Sequence, residues 1–159
     1  MSTGWQRVRE RLINIYPPLL GAGIRARRID ALTIQVELKL TALNRNVVGT
    51  HFGGSLYAMC DPWFMLILMR ALGDGYIVWD KSAAIRFLRP GRGTVRATFH
   101  IAPTRLDEIR AAADQRGKVE PEFAVDVLDD QDQVVARVEK LLYVRKRNER
   151  PSGTSPSAH

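Results

Sequence analysis

Asn46–Leu72 reads NVVGTHFGGSLYAMCDPWFMLILMRAL, and the architecture turns on it. From Ser55 to Leu72 apolar side chains fill nearly every position, whereas a surface helix carries one apolar stripe. Gly53 and Gly54 open the stretch, and Gly73 and Gly75 close it, so the pattern predicts one long central helix over about 54–72. Asp61 and Pro62 interrupt the apolar run, which falls short of the ~20 clean residues a bilayer span requires. The helix therefore reads as buried in a protein core, with no membrane span. Pro62 removes a helix N–H and should kink the helix or free the carbonyl of Ala58.

A helix apolar almost all round must be covered on most sides, and the flanking sequence supplies strands to do so. Leu32 to Thr41 alternates, with Leu32, Ile34, Val36, Leu38 and Leu40 on one face and Thr33, Gln35, Glu37 and Lys39 on the other. Gly23 to Ile29 is its expected hairpin partner, turning at Asp30 and Ala31. After the helix, strands are expected at Tyr76–Leu88, Thr94–Ala102, Glu122–Leu128 and Val134–Arg145. PGRG at 90–93 and DDQD at 129–132 mark the turns. Thr104 with Asp107 resembles a capping box for a short helix that Gly117 ends. Upstream, Trp5, Val8, Leu12 and Ile15 predict an amphipathic helix over 3–15, ended by Pro17 and Pro18. Residues 148–159, NERPSGTSPSAH, have a disordered composition. The expectation is a single α+β domain over 1–147: an antiparallel sheet wrapped around a long central helix, with an N-terminal helix.

The chain has 159 residues, 45% hydrophobic and 26% charged, enough to bury a core unaided. Cys60 is the lone cysteine and has no disulfide partner, and no Cys/His spacing suggests a metal. Charges near the start stand where a secretory signal needs apolar residues, so a cytoplasmic protein is expected. The net charge of +7 suits a polyanionic partner. Arg145, Lys146, Arg147 and Arg150 crowd one end and Arg25, Arg27 and Arg28 precede the first strand, but neither cluster has the interleaved aromatics of a single-strand binder. No specific nucleic acid is expected.

The pattern N-V-V-G-T-H-F-G-G, with Asp61 seven residues past Gly54, resembles the signature of hotdog-fold acyl-CoA thioesterases of the phenylacetate-pathway type. Asn46, Gly49, Gly53, Gly54 and Asp61 fall in register with it. Phe52 stands where that signature has histidine, and His51 lies one place earlier. GTHFGGSLYAMCDP, WDKSAAIRFLRPG and LLYVRKR are most similar to the hotdog branch called domain of unknown function 4442. The resemblance covers about residues 20–146. It implies a hotdog fold, hydrolysis of an acyl-CoA thioester without a metal or redox cofactor, and a homo-oligomer, dimer or tetramer, paired edge to edge. Val134–Val144, a long apolar strand, would be an aggregation risk as a free edge.

Gly53 and Gly54 at a helix start offer unpaired N–H groups at the positive end of the dipole, suited to a developing oxyanion; glycines there also simply make the turn. Asp61, a carboxylate within an apolar run, is the leading catalytic candidate, as general base on water or as nucleophile, with an interface or capping carboxylate as the alternative. A continuous helix would put it on the face of Gly54, two turns away. Asn46 is a candidate to orient water, with Asn44 competing by proximity, and His51 a candidate proton carrier. Cys60 reads as a buried filler. For the phosphates of coenzyme A, Lys81 and Arg89 are the candidates. Two other readings remain: a hotdog protein that binds an acyl-CoA or fatty acid without cleaving it, and a basic surface protein that uses its arginine-rich tail.

Overall fold

The computed structural model describes residues 16–147. The helix expected over 3–15 and the tail from 148 lie outside these residues. The element order is α1 (Pro17–Ala22), β1 (Ile24–Arg28), β2 (Thr33–Lys39), α2 (Gly53–Ala58), α3 (Trp63–Leu72), β3 (Tyr76–Phe87), β4 (Thr94–His100), α4 (Pro103–Arg116), β5 (Lys118–Val119), β6 (Glu122–Leu128) and β7 (Val134–Lys146). The main path of the antiparallel sheet runs β1-β2-β4-β6-β7-β3, and β5 adds a short pairing to β7. This sheet and its central helical segment form a hotdog fold.

Alternation built the sheet as expected. Val36 and Leu38 of β2 are sealed, and Val95, Ala97 and Phe99 of β4 bury the matching face across Thr33↔His100 to Lys39↔Thr94. Against them α3 buries Trp63, Phe64, Ile67, Leu68 and Leu72. The Phe64 ring stacks on Phe123 at 4.7 Å and meets Phe99 edge-on at 5.1 Å. Each such side chain withdrawn from water contributes about 1.5–3 kcal/mol.

Several expectations change. Pro17 and Pro18 open a helix of their own, α1, because proline loses nothing in a first turn whose N–H groups have no helical acceptor. α4 begins at Pro103 with Ala102 as its N-cap, so Thr104 lies inside the helix and caps nothing. Gly117 closes α4 in the left-handed conformation, φ +77°, as foreseen. β5 carries no apolar pattern of its own and went unforeseen. The expected central helix stands over Gly53–Leu72, with a break around Met59–Pro62 that divides it into α2 and α3. β7 is an interior strand between β6 and β3, and the long free edge is β3. β3 carries an irregularity between Asp80 and Ser82 that leaves Lys81 without a partner in the ladder. A bulge of this kind re-aims the side chains around it, here setting Asp80 and Ala83 in register with the inward residues Leu142 and Lys140.

Gly53–Leu72 is long and apolar enough to cross a membrane by length and composition, and half of it is buried inside the fold. A core helix passes the same test.

Candidate active site

Pro62 has no N–H to return to Ala58, so α2 cannot run on into α3. Cys60 N–H donates to Tyr57 O at 2.8 Å and Asp61 N–H reaches Ala58 O at 3.4 Å, before Leu66 N–H resumes the helical pattern on Pro62 O. Carbonyls at the interruption need other donors. Trp63 Nε1–H donates to Met59 O at 2.6 Å, and the Lys140 ammonium donates to Asp61 O at 2.6 Å.

Lys140 arrives from β7, where Ala136, Val138, Lys140, Leu142 and Val144 take the inward positions and all are buried. Its ammonium has three N–H groups and three acceptors: Asp61 O, Asp61 Oδ1 at 3.0 Å and Asp80 Oδ2 at 3.0 Å. It also lies 5.7 Å from the centre of the Tyr57 ring. Burial works to lower the Lys140 pKa, but the hydrogen bonds and charges of Asp80 and Asp61 outweigh it and hold the pKa above the usual lysine value. Asp80 moves above the ordinary carboxylate range because burial outweighs its share of the ammonium. Its Oδ1 is buried without a partner.

Asp61 itself is half in solvent, its side chain 50% exposed. Tyr57, one helical turn earlier, donates its hydroxyl to Asp61 Oδ1 at 2.8 Å, the same oxygen that Lys140 holds. Among the described residues, none donates a hydrogen bond to Asp61 Oδ2. Cys60, fully enclosed beside this group, has its thiol pushed up to about 12 by burial, and so fills space as expected.

The other expected residues lie elsewhere. Asn46 secures its own loop: Oδ1 accepts from Val48 N–H and Thr50 N–H, and Nδ2 donates to Thr50 Oγ1 and His51 O. His51 is buried, and its Nε2–H donates to Gly93 O at 3.1 Å, tying this loop to the turn before β4. Neither joins the Asp61 cluster. Gly53 and Gly54 form the first turn of α2, whose backbone bonds begin with Ser55 N–H and Leu56 N–H on Phe52 O. A Cβ on Gly54 would lie 2.4 Å from the Phe52 ring, so that ring covers the glycine. Lys81 pairs with Glu120 at 2.7 Å, and the Arg89 guanidinium meets the Gln133 amide oxygen. Among the described residues, no three of His, Cys, Asp and Glu gather into a group able to hold a metal.

Tyr57, Asp80 and Lys140 were missed by the sequence reading. For Lys140 a signal existed: a lysine at an inward position of an alternating apolar strand demands acid partners. Asp80 repeats it two residues after buried Val78, and Tyr57 stands four residues before Asp61, the spacing of neighbours on a helix.

The model of a family described as a domain of unknown function (DUF4442) matches residues 4–144. Solved structures are similar in fold. A protein of unknown function from Pseudomonas aeruginosa, called a probable thioesterase, superposes with a TM-score of 0.79 at 23% identity, covering 89% of this chain and 96% of that one. A thioesterase from Haemophilus influenzae gives 0.64 at 15% identity, covering 85% and 87%. The PaaI protein from the phenylacetic acid degradation operon of E. coli gives 0.60 at 19%, covering 91% and 93%. No curated protein matches the sequence significantly.

Proposed function

The chain belongs to the DUF4442 family, and from its hotdog architecture we propose that it hydrolyses an acyl-CoA thioester to the free acid and coenzyme A. One observation carries this reading: Asp61, its side chain half exposed, stands at a break in an apolar helix with one carboxylate oxygen held by Tyr57 and Lys140 and the other without a donor among the described residues. Oδ2 takes the proton of a water that attacks the thioester carbonyl, and the oxyanion forms against the amides of Gly53 and Gly54 at the start of α2. Collapse breaks the C–S bond, and the thiolate leaves with the proton. Alternatively Oδ2 attacks directly, expelling the thiolate, and water then opens the resulting anhydride at the Asp61 carboxyl carbon. Single turnover in oxygen-18 water separates the two, because only direct attack delivers an unlabelled Asp61 oxygen to the product.

Asn46 and His51 support this machinery by shaping the loop that enters α2. Arg89, held by a neutral amide, is the better seat for coenzyme A phosphates; the charge of Lys81 is already matched by Glu120. An open groove of about 560 Å³ across β3, β6 and β7 is lined by Glu122, by Glu139, whose charge Arg86 matches, and by Lys140, whose ammonium is spent on Asp61 and Asp80, so its described residues offer the phosphates no free cation. The free edge of β3, with exposed Phe87 and Leu88 at its end, supports edge-to-edge pairing into a homo-oligomer.

Phe52 lying over Gly54 favours a second reading, in which the acyl-CoA is bound without being cleaved. Incubation with acyl-CoAs of several chain lengths, following free thiol, decides between them. Hydrolysis that Asp61→Asn lowers about 1,000-fold supports the first reading. No turnover on any substrate, or an Asp61→Asn protein as fast as wild type, ends it, and tight binding without thiol release selects the second.

A further inference from the structure

We infer that Lys140 is the positioning residue of this site, a buried ammonium that grips Asp61 at two atoms and so aims its free oxygen at the substrate; this rests on the hydrolase reading. The grip follows from the helix break. Because Pro62 interrupts the backbone pattern, Asp61 O is open to Lys140, which binds that carbonyl and Oδ1 of the same residue together. Two contacts on one residue fix the side-chain torsions in a way one contact does not, and the Tyr57 hydroxyl on Oδ1 completes the hold. The carboxylate can then present only Oδ2.

Asp80 is the anchor of the arrangement. A lysine with a fully enclosed side chain is unfavourable unless every donor is satisfied, and the third N–H of Lys140 goes to Asp80 Oδ2. Two carboxylates share one ammonium, so the group keeps a formal charge of −1 and Asp61 is held without being neutralised.

The test uses the full chain, with steady-state thiol release and carboxylate carbon-13 resonances of Asp-labelled protein recorded at one pH near 8. Lys140→Met is expected to lower kcat about 100-fold with KM almost unchanged, the cost of a misaimed catalytic group. In an Asp61→Asn background the same change costs nothing further, because the group it aims is gone. Asp80→Asn and Tyr57→Phe, which keep the buried volume, each lower kcat about 10-fold and carry the test if Lys140→Met does not fold. The Asp61 side-chain resonance moves in Lys140→Met or, failing that variant, in Asp80→Asn. Full kcat in folded Lys140→Met or Asp80→Asn, or an equal further loss in the Asp61→Asn background, overturns the positioning role while leaving the hydrolase standing. A wild-type protein that releases no thiol overturns the hydrolase reading; an unmoved Asp61 resonance then overturns the grip as well.

Discussion

The loop from Asn44 to Phe52 and the helix interruption from Met59 to Pro62 both set polar side chains against the apolar core, yet they use their hydrogen bonds in opposite ways. In the loop the amides are closed: Asn44 accepts from Thr41 N–H and donates to Ala22 O and Lys39 O, and Asn46 makes four bonds within its own turn. At the interruption two bonds converge on one oxygen of the half-exposed Asp61 carboxylate, and no described residue donates to the other. A polar group whose capacity is spent internally holds structure; one half-spent and half-exposed is available for chemistry. On the hydrolase reading, the difference gives stability to the loop and reaction to the helix break.

The largest effect tests that division at its centre. Asp61→Asn should cut kcat about 1,000-fold, within the range for loss of a positioned base, while the urea midpoint barely moves. A large stability loss with kcat retained would reverse the comparison. Asn44→Ala should do the opposite, stranding three backbone groups and costing about 2–3 kcal/mol in urea unfolding, with kcat of the folded fraction nearly unchanged. Gly54→Ala lies between the regions. Its Cβ displaces only the ring of Phe52, which is largely exposed and can swing away, so stability should change by less than about 1 kcal/mol while kcat falls about 10-fold as the amide loses close approach. An unchanged kcat would remove the helix start from the mechanism.

The two regions also differ in how they could be read from the chain. Every residue of the loop motif lies within eleven positions, and the alternation of Leu32 to Leu40 is equally local, so motif and strand were visible as linear patterns. The Asp61 cluster draws Tyr57 and Asp61 from around the helix break, Asp80 from β3 and Lys140 from β7, 79 residues from Asp61. Its assembly depends on the pairing of β3 with β7 and on the irregularity after Asp80, neither of which leaves a one-dimensional trace. Asp61 stood out in the sequence because a carboxylate in an apolar helix is conspicuous. Lys140 obeyed the same rule on a strand, but among Arg137, Glu139, Arg145 and Lys146 its charge looks ordinary until the inward register is counted. His51 shows the reverse hazard: adjacency to the motif suggested a proton carrier, whereas its ring bonds the turn before β4.

That position of His51 gives the smallest and most selective test. Burial, only partly offset by the bond to Gly93 O, depresses its pKa below the ordinary 6.5. Its Nδ1 is buried without a partner, so protonation would place an N–H where nothing accepts it. As pH falls below 6.5 the unfolded chain takes up the proton first. The stability His51 contributes is therefore complete above 6.5 and is lost as pH falls through its folded value. Asp80 runs the other way: its raised pKa means the fold bears the cost of a buried carboxylate at neutral pH and is relieved of it as pH falls through that value. The wild-type Tm alone mixes these slopes, so the measurement is the difference in Tm between wild type and His51→Gln from pH 7.5 to 5. Glutamine keeps an N–H for Gly93 O and cannot be protonated, so the variant should lie within about 1 kcal/mol of wild type at pH 7.5. It should gain on wild type as pH falls, with thiol release at pH 7.5 unaltered. A constant difference across the range would show that the loop holds its histidine without cost, and a lost activity at pH 7.5 would carry chemistry into the region assigned to structure.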